Sequence, residues 1–85
     1  MQADHWKTQI VLNEGEQLKH EGSRTSGFMG EEDIESYSVI GPDGAKVGSI
    51  TVRDHTAVKG FRRTIYAIQN DLAGKVIAET RYTVS

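Results

Sequence analysis

The chain has 85 residues, 36% of them apolar and 26% charged, with a net charge of −2. That length holds one domain, residues 1–85, and a domain this small buries about 60–65% of its unfolded surface. With no cysteine there is no disulfide, thiolate metal site or thiol nucleophile, and the slight negative charge sets up no global field for nucleic acid or an anionic membrane.

Residues 6–12 alternate, with Trp6, Thr8, Ile10 and Leu12 on one side and Lys7 and Gln9 on the other, which predicts a strand. The N-terminus shows no basic segment followed by an apolar run, and the longest apolar run is Ile10-Val11-Leu12. The expectation is a cytoplasmic chain with no leader and no membrane partner. Residues 13–16, Asn-Glu-Gly-Glu, read as a turn. Residues 17–21 return as a weak antiparallel strand whose one large apolar side chain is Leu18, with a helical turn as the competing reading.

Residues 22–33 read as a long loop, with Gly22, Gly27 and Gly30 among Ser and Thr, ending in Glu31-Glu32-Asp33. Loops of about 12 residues are uncommon in compact domains and often functional. Phe28 and Met29 within it either anchor the loop in the core or face a partner.

Residues 34–41 and 45–54 form the clearest hairpin, closed by Gly41-Pro42-Asp43-Gly44. Pro42 pre-sets a turn φ, and Gly44 accepts φ > 0 as a type I turn with a glycine bulge requires. This pairing sets Val39 opposite Val47 and Tyr37 opposite Ser49, leaving Ile34, Ile40, Ile50 and Val52 on the other face. Both faces are then partly apolar, so both need cover. The N-terminal strand supplies one cover, and a second copy of the chain the other, which predicts a homodimer.

Residues 55–62 break the alternation as a wide connection or short helical turn. Residues 63–70 and 75–84 form a second hairpin around Asp71-Leu72-Ala73-Gly74. Tyr66, Ile68, Val76, Ala78, Tyr82 and Val84 are expected on its core face. Arg63, Gln69, Glu79, Arg81 and Thr83 are expected in water, with Ile65 and Ile77 out of pattern. Tyr37, Val39, Lys46 and Val47 recur as Tyr66, Ile68, Lys75 and Val76 at a spacing of 29 residues, which suggests a meander of similar units.

The histidines, His5, His20 and His55, lack the convergent spacing of a metal site. No Gly-x-Ser-x-Gly elbow is present. The spacing around Gly22 and Gly27 lacks the Lys-Ser/Thr ending of a phosphate loop. The reading is therefore a protein without catalytic residues, metal or cofactor.

The sharpest local feature is Lys59-Gly60-Phe61-Arg62-Arg63, close to His55. Fixed cations with an aromatic ring compose a phosphate or single-strand contact. The plainer reading places Phe61 in the core and the cationic heads in water. The expected fold is all-β, a small antiparallel meander or half-open barrel of five or six strands. The alternative is α+β with one short helix in 16–21 or 55–60. The expected function is a non-catalytic binding module for an unknown protein partner, contacting it through Phe28 and the basic connection. The alternatives are a nucleic-acid or phosphate binder using His55, Lys59, Phe61, Arg62 and Arg63, and a small enzyme of unidentified type.

Overall fold

The computed structural model describes residues 2–84. Five strands follow in chain order: β1 (Gln17–Ser26), β2 (Glu32–Ile40), β3 (Lys46–Thr56), β4 (Arg63–Asp71) and β5 (Val76–Thr83). Each pairs antiparallel with the next, giving one sheet of order β1-β2-β3-β4-β5. The all-β meander expected from the sequence is the fold, and its sheet is open rather than closed. Neither 16–21 nor 55–60 is helical.

The N-terminal alternation does not make a strand. His5–Thr8 form a 3-10 turn, and the segment lies across one face of the sheet. Its anchor is Trp6, 3% exposed, which packs with Val39, Ile50, Val52, Ile65, Ala67 and Tyr82, while Ile10 and Leu18 press against the same cluster. The Trp6 ring meets Tyr37 at 5.1 Å between centroids. A segment laid over a sheet face cannot use the ladder, so its backbone groups need side-chain partners. Two sheet residues supply them. The Val11 N–H donates to Gln69 Oε1 at 2.7 Å, and Gln69 Nε2 donates to the Val11 carbonyl at 2.8 Å. The Tyr82 hydroxyl accepts from the Trp6 N–H at 3.0 Å and donates to the Ala3 carbonyl at 2.8 Å. This explains why Gln69, expected in water, is 2% exposed.

The strand expected over 17–21 runs on to Ser26, so the loop expected at 22–33 contracts to residues 27–31 between β1 and β2. Glu21 is the extra residue of a bulge between His20 and Gly22. Loop length there is limited by ladder pairing, which Ser and Thr sustain as well as apolar residues do.

The central hairpin closes as expected. Gly44 N–H donates to the Gly41 carbonyl at 2.9 Å, and Gly44 takes φ +85°. Its register differs from the expectation by one residue. Val39 faces Gly48 and Tyr37 faces Ile50, because the ladder shifts next to Ile40↔Lys46 and leaves Val47 as the extra residue. A one-residue slip exchanges the faces of every later side chain. Tyr37, Val39, Ile50 and Val52 therefore share the covered face, and Ile34 and Ile40 lie opposite.

The second hairpin corrects in the same way. A shift between Gln69 and Asn70 leaves Ile77 extra. Ile65, Ala67, Gln69, Ala78 and Tyr82 fall on the covered face, while Tyr66, Ile68, Glu79 and Arg81 fall on the other. The two turns superpose at a spacing of 30, Gly44 with Gly74, each glycine donating to a carbonyl three residues back. The residue match at 29 is therefore out of step with the backbone, and Tyr37 and Tyr66 point to opposite faces.

Candidate functional site

Residues 2–13 seal one face of the sheet, and no element covers the other among the described residues. On that open face, strand register sets two rows of side chains across β3, β4 and β5. Arg53, Tyr66 and Arg81 are direct cross-strand neighbours, and His55, Thr64 and Thr83 form the next row. With Glu32 from β2 and Arg62 from the β3–β4 connection they line a shallow groove of about 680 Å³. Three guanidinium groups and one carboxylate line it, so the groove is positive although the chain as a whole is negative. A concave surface lined by one sign of charge concentrates counter-ions.

The groove's cations differ in their partners. Arg53 Nη1 lies 3.0 Å from Glu32 Oε1, a pair that offsets its charge. The Arg81 guanidinium stands over the Tyr66 ring, 5.0 Å from its centroid. Tyr66 in turn donates to Glu79 Oε1 at 2.8 Å, and that hydrogen bond, with burial second, raises its phenol above the usual value. Arg62 Nη2 reaches Thr83 Oγ1 at 3.4 Å. Neither Arg62 nor Arg81 has a carboxylate within 4.0 Å among the described residues.

The six residues singled out by the sequence divide into three places. His55 and Arg62 line the groove. Arg63 faces the covered side, where its Nε sits 2.8 and 3.0 Å from the Asp54 oxygens and its Nη2 makes a further bond to Oδ2. The bonds it donates to Asp54 hold the Arg63 guanidinium above its ordinary pKa, so Arg63 serves the fold. Phe28, 98% exposed, and Phe61, 80% exposed, belong to the two loops at this end of the sheet. Those loops touch: Thr56 N–H donates to the Glu31 carbonyl at 2.8 Å, and Phe61 shares a surface concavity with Met29 and Val58. Lys59 lies in the same β3–β4 connection.

Sequence reasoning missed Arg53, Tyr66 and Arg81. Their signal was period-two spacing, Arg53 with His55 and Arg81 with Thr83, but it becomes legible only when the register places the strands side by side.

A second polar cluster lies on β1 and β2. His20 Nε2 is 3.1 Å from Glu35 Oε2 and 3.3 Å from Ser23 Oγ, and Ser23 also donates to Glu35. These bonds lower the Glu35 carboxyl below its usual value, Ser23 first and His20 second. A serine–histidine–carboxylate triad needs the carboxylate on the imidazole nitrogen remote from the serine. Here serine and glutamate share one nitrogen, so nothing orients the ring as a base. Among the described residues no cluster of three His, Asp or Glu side chains could hold a metal ion, and no helix is long and apolar enough to cross a membrane.

The chain matches no protein-family model, no curated protein and no solved structure.

Proposed function

We propose that the chain is a non-catalytic binding module whose open sheet face receives an anionic ligand. The observation that carries this reading is the charge of the groove: Arg53, Arg62 and Arg81 line it against the single carboxylate of Glu32. Guanidinium groups that lack carboxylate partners make the strongest hydrogen bonds when an oxyanion arrives. The arrangement of the sheet supports the same reading, since the core cluster lies on the covered face and the row of Arg53, Tyr66 and Arg81 lies on the open one.

Heparin, a generic polyanion, tests the proposal. Titrated into isotopically labelled protein, it should shift the amides of residues 53, 55, 64, 66 and 81, with affinity falling as salt rises. Shifts confined to residues 2–13, or none at all, would refute it.

A second reading rests on the end loops. Phe28, Met29, Val58 and Phe61 are exposed together at one end, and an exposed apolar cluster of this kind marks a protein contact. Replacing Phe28 and Met29 by Ser would abolish such a contact and leave heparin binding intact. Of the apolar residues that suggested a homodimer, Tyr37, Val39, Ile50 and Val52 lie on the face that residues 2–13 seal, and Ile34 and Ile40 lie on the open face.

A further inference from the structure

We infer that the groove seats a nucleotide unit, with its phosphate held between Arg62 and Arg81 and its base stacked on Phe61. The inference rests on the anion-binding reading above and narrows it to one ligand chemistry.

Position comes first. Arg62 reaches Thr83, and Thr83 and Arg81 are alternate residues of β5 on one face. Alternate strand residues stand about 7 Å apart. Both side chains line the groove, so a tetrahedral oxyanion seated in it can accept from the two guanidinium groups at about 2.8 Å. The other cations nearby are engaged: Arg53 with Glu32 and Arg63 with Asp54. Thr64, which also lines the groove, carries a hydroxyl that can donate. Two guanidinium donors from different elements suit an anion with three or four oxygens better than a flat carboxylate.

The aromatic part comes from a backbone anomaly. Phe61 has φ +54°, directly after Gly60 at +83°. A bulky residue in the left-handed region costs about 1–2 kcal/mol. Burial does not offset that cost, because the side chain is 80% exposed. The fold thus holds a largely exposed phenyl ring in a strained conformation, beside Met29 and Val58 rather than in the groove lining, one residue before the cation of the phosphate seat. Stacking on a base, worth about 1–3 kcal/mol, gives that arrangement a use. The source of the nucleotide unit is either a free mononucleotide or a single strand, and both present the same phosphate and base.

Binding of inorganic phosphate, AMP and an eight-residue oligothymidylate to the full chain tests this, read by calorimetry and by amide shifts. AMP or the oligonucleotide should shift the amides of residues 61, 62, 81 and 83. Tighter, salt-sensitive binding of the oligonucleotide assigns the single strand; equal or tighter binding of AMP assigns the free nucleotide. Arg62→Ala and Arg81→Ala should each weaken binding about tenfold, the loss of one charge-assisted contact. Phe61→Ala should weaken AMP and oligonucleotide binding but leave inorganic phosphate unchanged. Far-UV circular dichroism of each variant checks that the sheet persists. If the Arg62→Ala/Arg81→Ala double variant binds nucleotides as the parent does, the seat is wrong, whether or not heparin still shifts the open face. If heparin binds there and no nucleotide does, the ligand class is wrong and the broader reading stands. If neither binds, both fall. Binding of phosphatidylcholine–phosphatidylserine vesicles with no nucleotide binding also overturns it.

Discussion

Trp6→Ala should remove a large part of the stability of this domain. The side chain is 3% exposed at the centre of the core cluster. A buried tryptophan removes about 150–250 Å² from water, which at about 25 cal/mol per Å² stabilises by about 4–6 kcal/mol. Partial burial in the unfolded chain lowers that figure, and large-to-small core changes of this kind cost about 3–5 kcal/mol. A domain of this length has about 4–13 kcal/mol in total, so the variant should lose about a third of its stability at the upper end of that range and be unfolded at the lower end. Urea unfolding followed by far-UV circular dichroism measures the difference, since the substitution removes the only tryptophan fluorophore. Lys7→Ala is the control. Its ammonium lies 5.7 Å from the Trp6 ring centroid, an exposed contact worth about 0.5–1 kcal/mol. A loss below about 1 kcal/mol for Trp6→Ala would mean that residues 2–13 do not seal the sheet.

Two further outcomes follow from single positions, and a third from a set of titrating groups. Gly48→Ala should destabilise by about 1–3 kcal/mol, because a Cβ there would stand 2.6 Å from the Asn70 carbonyl oxygen and must force β3 and β4 apart; an unchanged urea midpoint would contradict that close approach. Phe61→Gly should instead raise the melting temperature by about 4–8 °C, the release of about 1 kcal/mol of left-handed strain in a chain of this size, and a lower melting temperature would show that the ring packs in solution. Stability should also fall at both extremes of pH. Hydrogen bonds from Ser38, from the backbone of its own loop and from Ser23 hold Glu21, Glu31 and Glu35, respectively, below 4.5, so their contribution is complete above that pH and is lost as pH drops through the folded values. Tyr37 and Tyr82, raised chiefly by burial, and Tyr66, raised chiefly by its bond to Glu79, lie above 10.0. Their contribution is present below pH 10 and lost as pH climbs through the folded values. A urea midpoint that rises below pH 4 or above pH 10 would overturn this assignment.

Much of the candidate site was half-visible. His55 and Arg62 drew notice because fixed charge and an aromatic ring crowd a short stretch, and both line the groove. Arg63 drew notice for the same reason but turns to the covered face, since neighbouring strand residues point to opposite sides. Arg53, Tyr66 and Arg81 are far apart in the chain and become one row only through two ladders. No local composition marks such a row.

The sequence by itself determined four of the five strands, β2 to β5, and the central and second turns. Alternation, β-branched residues and glycines placed for left-handed φ act within a few residues, and these signals led to β2, β3, β4 and β5 near their observed bounds. Tertiary structure alone decided which side of each strand is buried. Two extra residues, Val47 and Ile77, shift the ladders, and such a shift exchanges faces without changing local propensity. Tertiary structure also decided that the alternating N-terminal stretch lies across the sheet instead of joining it. Trp6 gains more from the centre of the core than from an edge, and Gln69 and Tyr82 satisfy the backbone groups that a ladder would otherwise have paired.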